Sequence, residues 1–178
     1  TNIFFNKLYH FMNEDDEIFD VVDSQDQIIG KATRQQVHNY KLMHRSSHVL
    51  VFDLSENLFL QKRAIKKDES PGLWDSSAAG HVESGEGYIK CAIRELKEEL
   101  GLESMRLKEI MSIRAQYKTF WEHVHVYKCI TNNKIFINHD EISEGRFFEL
   151  PEVAKLVESK PSIFTSTFIY IYKNHICK

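Results

Sequence analysis

The sequence has little cysteine, no long apolar run and no excess of positive charge. Each shortage removes a class of protein. Its three cysteines, Cys91, Cys129 and Cys177, are an odd number without a C-x-x-C spacing. They offer neither a disulfide framework nor a zinc site, and they suit a reducing cytoplasm. No apolar stretch approaches the ~20 residues that a bilayer-crossing helix needs, so no membrane partner is expected. Formal net charge is −3 and no basic stripe interrupts it. Stable binding to nucleic acid is therefore not expected either. Repeats, low-complexity tracts and linkers are also absent.

What is present is enough for one core. The chain has 178 residues, of which 42% are hydrophobic, a length that suits a single domain. The start of residues 1–16, TNIFFNKLYHFM, is apolar, but the segment lacks the basic start and clean cleavage site of a signal peptide. It reads as an N-terminal extension able to pack on the domain or on a partner subunit, with 17–178 as the domain. Residues 17–23 and 27–33 flank Ser24, Gln25 and Asp26 as a β-hairpin would. A short helix is expected over 34–40, and strands over 49–53, 58–62, 74–82, 107–115, 120–130 and 147–150. Pro151 opens a helix, and 163–175 forms another. Residues 63–72 read as a loop ending in Pro71 and Gly72. Strands mixed with a few long helices argue an α/β or α+β layered domain.

Residues 80–102 read GHVESGEGYIKCAIRELKEELGL. A helix over 85–100 would bury a stripe of Ile89, Ala92, Ile93, Leu96 and Leu100. Gly101 stands where a left-handed C-cap is expected. Glu95, Glu98 and Glu99 are offset by three and four residues, which places them on one face. Three carboxylates held together at neutral pH repel unless a cation joins them. Hard oxygen ligands favour Mg²⁺, Mn²⁺ or Ca²⁺. A solvated acidic face explains the charges but not the glycines, nor Glu86 ahead of the helix.

This segment resembles the signature of the Nudix hydrolases: Gly80, Glu86, Arg94, Glu95, Leu96, Glu98, Glu99, Gly101 and Leu102 fill the family box with no departure. The resemblance implies the Nudix fold, a mixed sheet sandwiched between helices, here with an N-terminal hairpin. It implies a Mg²⁺-dependent hydrolase, with Mn²⁺ a possible substitute, acting on a small-molecule phosphoanhydride. Glu98 and Glu99 would be the principal metal ligands. Glu95 would be a further ligand or the group that acts on water, and the Ala79 carbonyl would join them. Arg94 would hold Glu86 by a charge-assisted hydrogen bond, and Gly80 would allow close backbone approach. A base outside the box would be Glu122, ahead of Glu141 and Glu144 in the segment DEISEGRFF. Such proteins often dimerise, so a homodimer is possible.

A second likeness runs from about Glu17 to Leu102. It is similar to the Nudix subgroup related to isopentenyl-diphosphate isomerase. That resemblance places the isomerase histidines at His44 and His81 and its acidic partner at Glu122. It places the catalytic cysteine at Ala79, which has no thiol, so hydrolysis is favoured over isomerisation. A non-catalytic nucleotide sensor is the third reading. Trp74 is the first candidate to stack on a nucleobase, with Tyr117, Phe120 and Trp121 as alternatives. His48, His123 and His125 read as structural histidines. Substrate choice would rest on loops 63–72 and 118–123.

Overall fold

The computed structural model describes residues 17–176, so the 1–16 extension and Cys177 lie outside the described residues. The fold is α+β, a seven-stranded mixed sheet between helices with a two-stranded hairpin at its start. Strands β1 (Ile18–Val22) and β2 (Ile28–Thr33) pair antiparallel as expected. The Asp23 carboxylate accepts from the Gln25 and Gln27 amides and closes the turn. Helix α1 (Arg34–Tyr40) follows at once, because Thr33 and Gln36 form a reciprocal capping box.

Strand β3 (His44–Phe52) begins at His44 rather than at residue 49. Its first five residues, His-Arg-Ser-Ser-His, carry no apolar alternation to announce a strand. The reason is that this half of β3 lines a cavity instead of a core. β3 pairs parallel with β8 (Glu122–Ile130) along its whole length. Its other edge is shared. Val51 and Phe52 pair with β4 (Leu58–Arg63), whereas residues 46–49 pair with β6 (Ala78–His81). The expected strand over 74–82 is therefore two, β5 (Trp74–Asp75) on β4 and β6 on β3. Ser77 sits at the fork. Its hydroxyl donates to the Phe59 carbonyl and accepts from the Val51 amide, bridging β3 and β4 at the last pair of their ladder.

Strand β7 (Lys108–Ile113) borders β8, and β9 (Ile142–Phe148) borders β4. β9 begins earlier than residue 147, so Glu144 lies on a strand and not in a loop. Helix α2 (Tyr88–Leu100) covers one face, packing its Ala92, Leu96 and Leu100 with Val49 and Val51 of β3. Helices α3 (Leu150–Ser159) and α4 (Ser166–Ile171) cover the other face, packing Val153, Val157 and Phe168 with Leu50, Phe52 and Phe148. The helix expected over 163–175 is broken. A 3₁₀ turn (Pro161–Ile163) and an extended Phe164 precede α4, which Thr165 caps, and a π segment (Tyr172–Ile176) ends it. Among the described residues no helix is long and apolar enough to cross a membrane.

Ser77 is fully buried, and the Val51 amide depends on its hydroxyl. Ser77→Ala should cost about 1–3 kcal/mol of stability, read as a lower urea midpoint with an unchanged slope. An unchanged midpoint would mean that β3 and β4 close the fork without the hydroxyl.

Candidate active site

Helix α2 starts at Tyr88, three residues later than the periodicity suggests, because Gly85 turns at φ 80° and Gly87 is the N-cap. It ends as expected, with Gly101 in the left-handed C-cap at φ 65°. Its rotation differs from the apolar pattern. Ile89 and Ile93 are 43% and 46% exposed, while Cys91, Ala92, Glu95, Leu96, Glu99 and Leu100 face inward. Two carboxylates thus occupy inner positions that isoleucines were expected to fill.

The surroundings explain how they are tolerated. Glu95 lies over Gly80, where an added Cβ would fall 1.9 Å from its Oε1. No side chain fits there. Arg94 then ties the acidic groups together. Its guanidinium donates to both Glu86 oxygens (3.1 and 3.0 Å), to Glu95 Oε1 (2.6 Å), to Glu98 Oε2 (3.2 Å) and to the His81 carbonyl (2.9 Å). Glu86 also accepts from the Glu83 amide, which closes the loop ahead of the helix. Glu99 is 3% exposed, and one oxygen accepts from Gln61 Nε2 (2.8 Å) and the Ala79 amide (3.0 Å). Burial, then the neighbouring Glu95 charge, pushes its carboxyl up to about 8. Burial also raises Glu95, against the pull of Arg94. Glu98 is half exposed at the rim.

These carboxylates and Ala79 border one cavity of about 290 Å³, whose other walls include Arg34, Arg63, Lys67, His81 and Glu122. Glu95 and Glu98 turn to Arg94 while Glu99 turns to Ala79 and Gln61. Even so, a buried carboxylate destabilised in its charged form is what a divalent cation relieves. The donor set fits a hard ion.

Beside it stands a second group of donors. The rings of His44 and His81 are 5.0 Å apart, and His38, from α1, lies 5.6 and 5.2 Å from them. Their nitrogens fall within one ion's reach, as do ligand atoms of Glu69, His81 and Glu122. His44 donates from Nδ1 to the Leu42 carbonyl (2.9 Å), which leaves Nε2 buried and unpartnered. That arrangement is usual for a metal-binding imidazole. Burial lowers His38 and His44 to about 4, so both are neutral near pH 7. Burial would raise Glu122, but the His81 hydrogen bond (3.1 Å), with the His44 ring also facing the carboxylate, holds it well below the carboxylate range.

The hairpin braces both groups. Phe19 stacks on His44 and packs at a tilt against His81 (centroids 5.9 and 4.9 Å). The Asp20 carboxylate accepts from the Ser84 hydroxyl and the Gly85 amide, gripping the loop into α2.

Other expectations fare unevenly. Trp74 is corrected. It packs edge-on against Phe148 (5.0 Å) with the core and is not in the cavity wall, because β5 turns Asp75 inward instead. Phe120 does border the cavity, whereas Tyr117 and Trp121 do not. Glu141 reaches the wall paired with Lys67, while Glu144 pairs with Lys62 (3.8 Å) away from it. His123 is structural, donating to the Asp23 carbonyl (2.9 Å), and His125 stacks on Tyr88 (3.7 Å). His48 instead lines the cavity. The sequence reading missed His38, Glu69 and Arg34. The only available signal was their position in the polar segments that flank β3 and β5.

Comparison with known proteins gives a consistent result. The family described as NUDIX domain matches residues 42–167. The chain is 35% identical over 158 residues to a protein of Photorhabdus laumondii named isopentenyl-diphosphate Delta-isomerase 2, covering 86% of this chain and 89% of that one. It is 33% identical over 147 residues to an uncharacterised Nudix hydrolase of Pseudomonas aeruginosa, covering 82% and 85%. The crystal structure of DR0079 from Deinococcus radiodurans superposes with a TM-score of 0.77 at 21% identity, covering 88% of this chain and 98% of that one.

Two predictions follow from the geometry of α2. Gly80→Ala should displace Glu95 and abolish any activity of the cavity while the protein remains folded by circular dichroism. In chelator, Glu99 should make stability fall as pH rises from the ordinary 4.5 to about 8. The folded state there keeps a proton that the unfolded chain has released, so unfolding gains with pH. Urea midpoints at pH 5 and pH 8 should show this fall, and Glu99→Gln should flatten it.

Proposed function

The chain belongs to the Nudix family, and we propose that it is a Mg²⁺-dependent hydrolase of a phosphoanhydride bond. The substrate is a nucleoside diphosphate derivative or a nucleoside di- or triphosphate, and Mn²⁺ can replace Mg²⁺. The observation that carries this reading is the pair Glu95 and Glu99, buried on the cavity side of α2 in an intact Arg94–Glu86 frame.

Glu95, Glu98, Glu99 and the Ala79 carbonyl would hold the metal. When bound, it neutralises phosphate charge and acidifies water. Arg63 and Lys67, on the cavity wall, meet the remaining phosphate oxygens. Arg94 and Glu86 are positioning residues that fix the angle of Glu95 and Glu98. Glu95 accepts the proton from water, because it faces the cavity and burial makes its carboxylate more basic than an exposed one. Glu122 is the weaker base, since its histidine partners hold it ionised. Its part is to anchor His81.

A second reading has its own support. The imidazoles of His38, His44 and His81 would form a nitrogen-rich metal site, with burial keeping His38 and His44 neutral, and several relatives are named isomerases. Ala79 stands where the resemblance places the thiol, so the histidine site would serve the chain without that acid.

The test is turnover on a panel of nucleotides, nucleotide sugars, coenzyme A and dinucleoside polyphosphates. Glu95→Gln should lose about 10²–10⁴-fold in kcat. Glu98→Gln and Glu99→Gln should lose comparable activity, with a raised Mg²⁺ requirement. Glu122→Gln should lose less than about tenfold. Full turnover in Glu98→Gln and Glu99→Gln would sink the reading.

A further inference from the structure

The cavity has an end that neither donor group uses. Along β3, Ser46 and His48 point to the same face as Leu50, toward α4 and away from α2. Asp75 comes in from β5, and Thr165 and Thr167 from the start of α4. Every one of these residues is at least nine-tenths buried. The group is held rigidly. Asp75 Oδ1 accepts from the Thr165 hydroxyl (2.9 Å) and the Ser76 amide (2.8 Å). The Thr165 amide donates to the Trp74 carbonyl (2.9 Å), which fixes α4 against β5. His48 Nδ1 bonds to the Ser76 hydroxyl (2.9 Å), which leaves Nε2 as the ring's remaining polar atom. The Ser46 hydroxyl is buried beside the Glu122 carboxylate.

Phe120 completes the wall. It is 40% exposed and borders the cavity. Phe120 and Trp121 both hold positive φ (52° and 65°), a strained pair of the kind that persists where the surroundings fix it. The Ser166 hydroxyl donates to the Lys118 carbonyl (2.8 Å) and ties this loop to α4.

We propose that this end holds the organic half of the substrate, that this half is a neutral ring bearing hydrogen-bonding groups, and that His48 and Thr167 select it over a hydrocarbon chain. The ring is a nucleobase or a sugar. The inference rests on the hydrolase reading for the phosphates that the ring carries. A hydrocarbon here would strip water from His48 and Thr167 and return no hydrogen bond. Sites built that way reject the analogue that lacks the partner.

The test is binding, not turnover. Inorganic phosphate, ribose 5-phosphate, the four ribonucleoside 5′-monophosphates and isopentenyl monophosphate are titrated calorimetrically into the full chain with Mg²⁺ present. At least one ring-bearing phosphate should bind about tenfold or more tighter than isopentenyl monophosphate. His48→Leu and Thr167→Val should each reduce that ratio about fivefold or more, leave inorganic phosphate affinity unchanged, and His48→Gln should keep most of the preference. Equal affinity for ribose 5-phosphate and the nucleotides assigns the site to a sugar. Tighter nucleotide binding that Phe120→Ala removes assigns it to a base. Isopentenyl monophosphate binding as well as the others, or a ratio that neither His48→Leu nor Thr167→Val moves, overturns the proposal. A protein with this preference that hydrolyses no phosphoanhydride refutes the hydrolase reading and leaves this one standing.

Discussion

Two carboxylates buried between a helix and a sheet set the terms for this molecule. Glu95 and Glu99 take inner positions on α2 that the apolar pattern would give to Ile89 and Ile93. Charge in such a place is costly unless it is paired and hydrogen-bonded. The rest of the site answers that cost. Gly80 leaves room, Arg94 supplies a shared cation, and Gln61 and the Ala79 amide give Glu99 two donors. What they leave unanswered is the Glu99 charge itself, raised by burial and by its neighbour. A divalent cation would complete the arrangement.

The sheet is shaped around the same need. β3 divides its edge between β4 and β6, and Ser77 bridges the fork. The division opens a cavity in which carboxylates, imidazoles and basic side chains meet. The hairpin is part of this machinery, because Phe19 packs on the imidazoles and Asp20 fixes the loop into α2. Two donor sets share the cavity, one of oxygen and one largely of nitrogen. Hard and borderline ions would choose between them. A chain with relatives named as hydrolase and as isomerase carries the full Nudix box and has alanine at position 79, where the isomerase resemblance implies a thiol.

Much of this was legible in the residues. The box glutamates, Arg94 with Glu86, the Gly101 cap and the hairpin stand where the spacing put them, because each rests on local chemistry. The misreadings share a cause. The polar start of β3 has no alternation, since it faces a cavity. The α2 stripe was rotated, since function places acids where apolar residues belong. The last helix broke at Phe164 and Thr165 because Asp75 holds the Thr165 hydroxyl from across the fold. His38 and Glu69 belong to the site only through tertiary contact, which no local pattern encodes.

The claim at the centre is that the α2 carboxylates serve water attack on phosphorus. Incubation of phosphoanhydride substrates with Mg²⁺ in ¹⁸O-water, with the products weighed by mass spectrometry, addresses it directly. The account predicts one ¹⁸O in a single phosphate-bearing product, lost in chelator. Absence of labelled phosphate from every substrate, with solvent deuterium entering isopentenyl diphosphate, would contradict it.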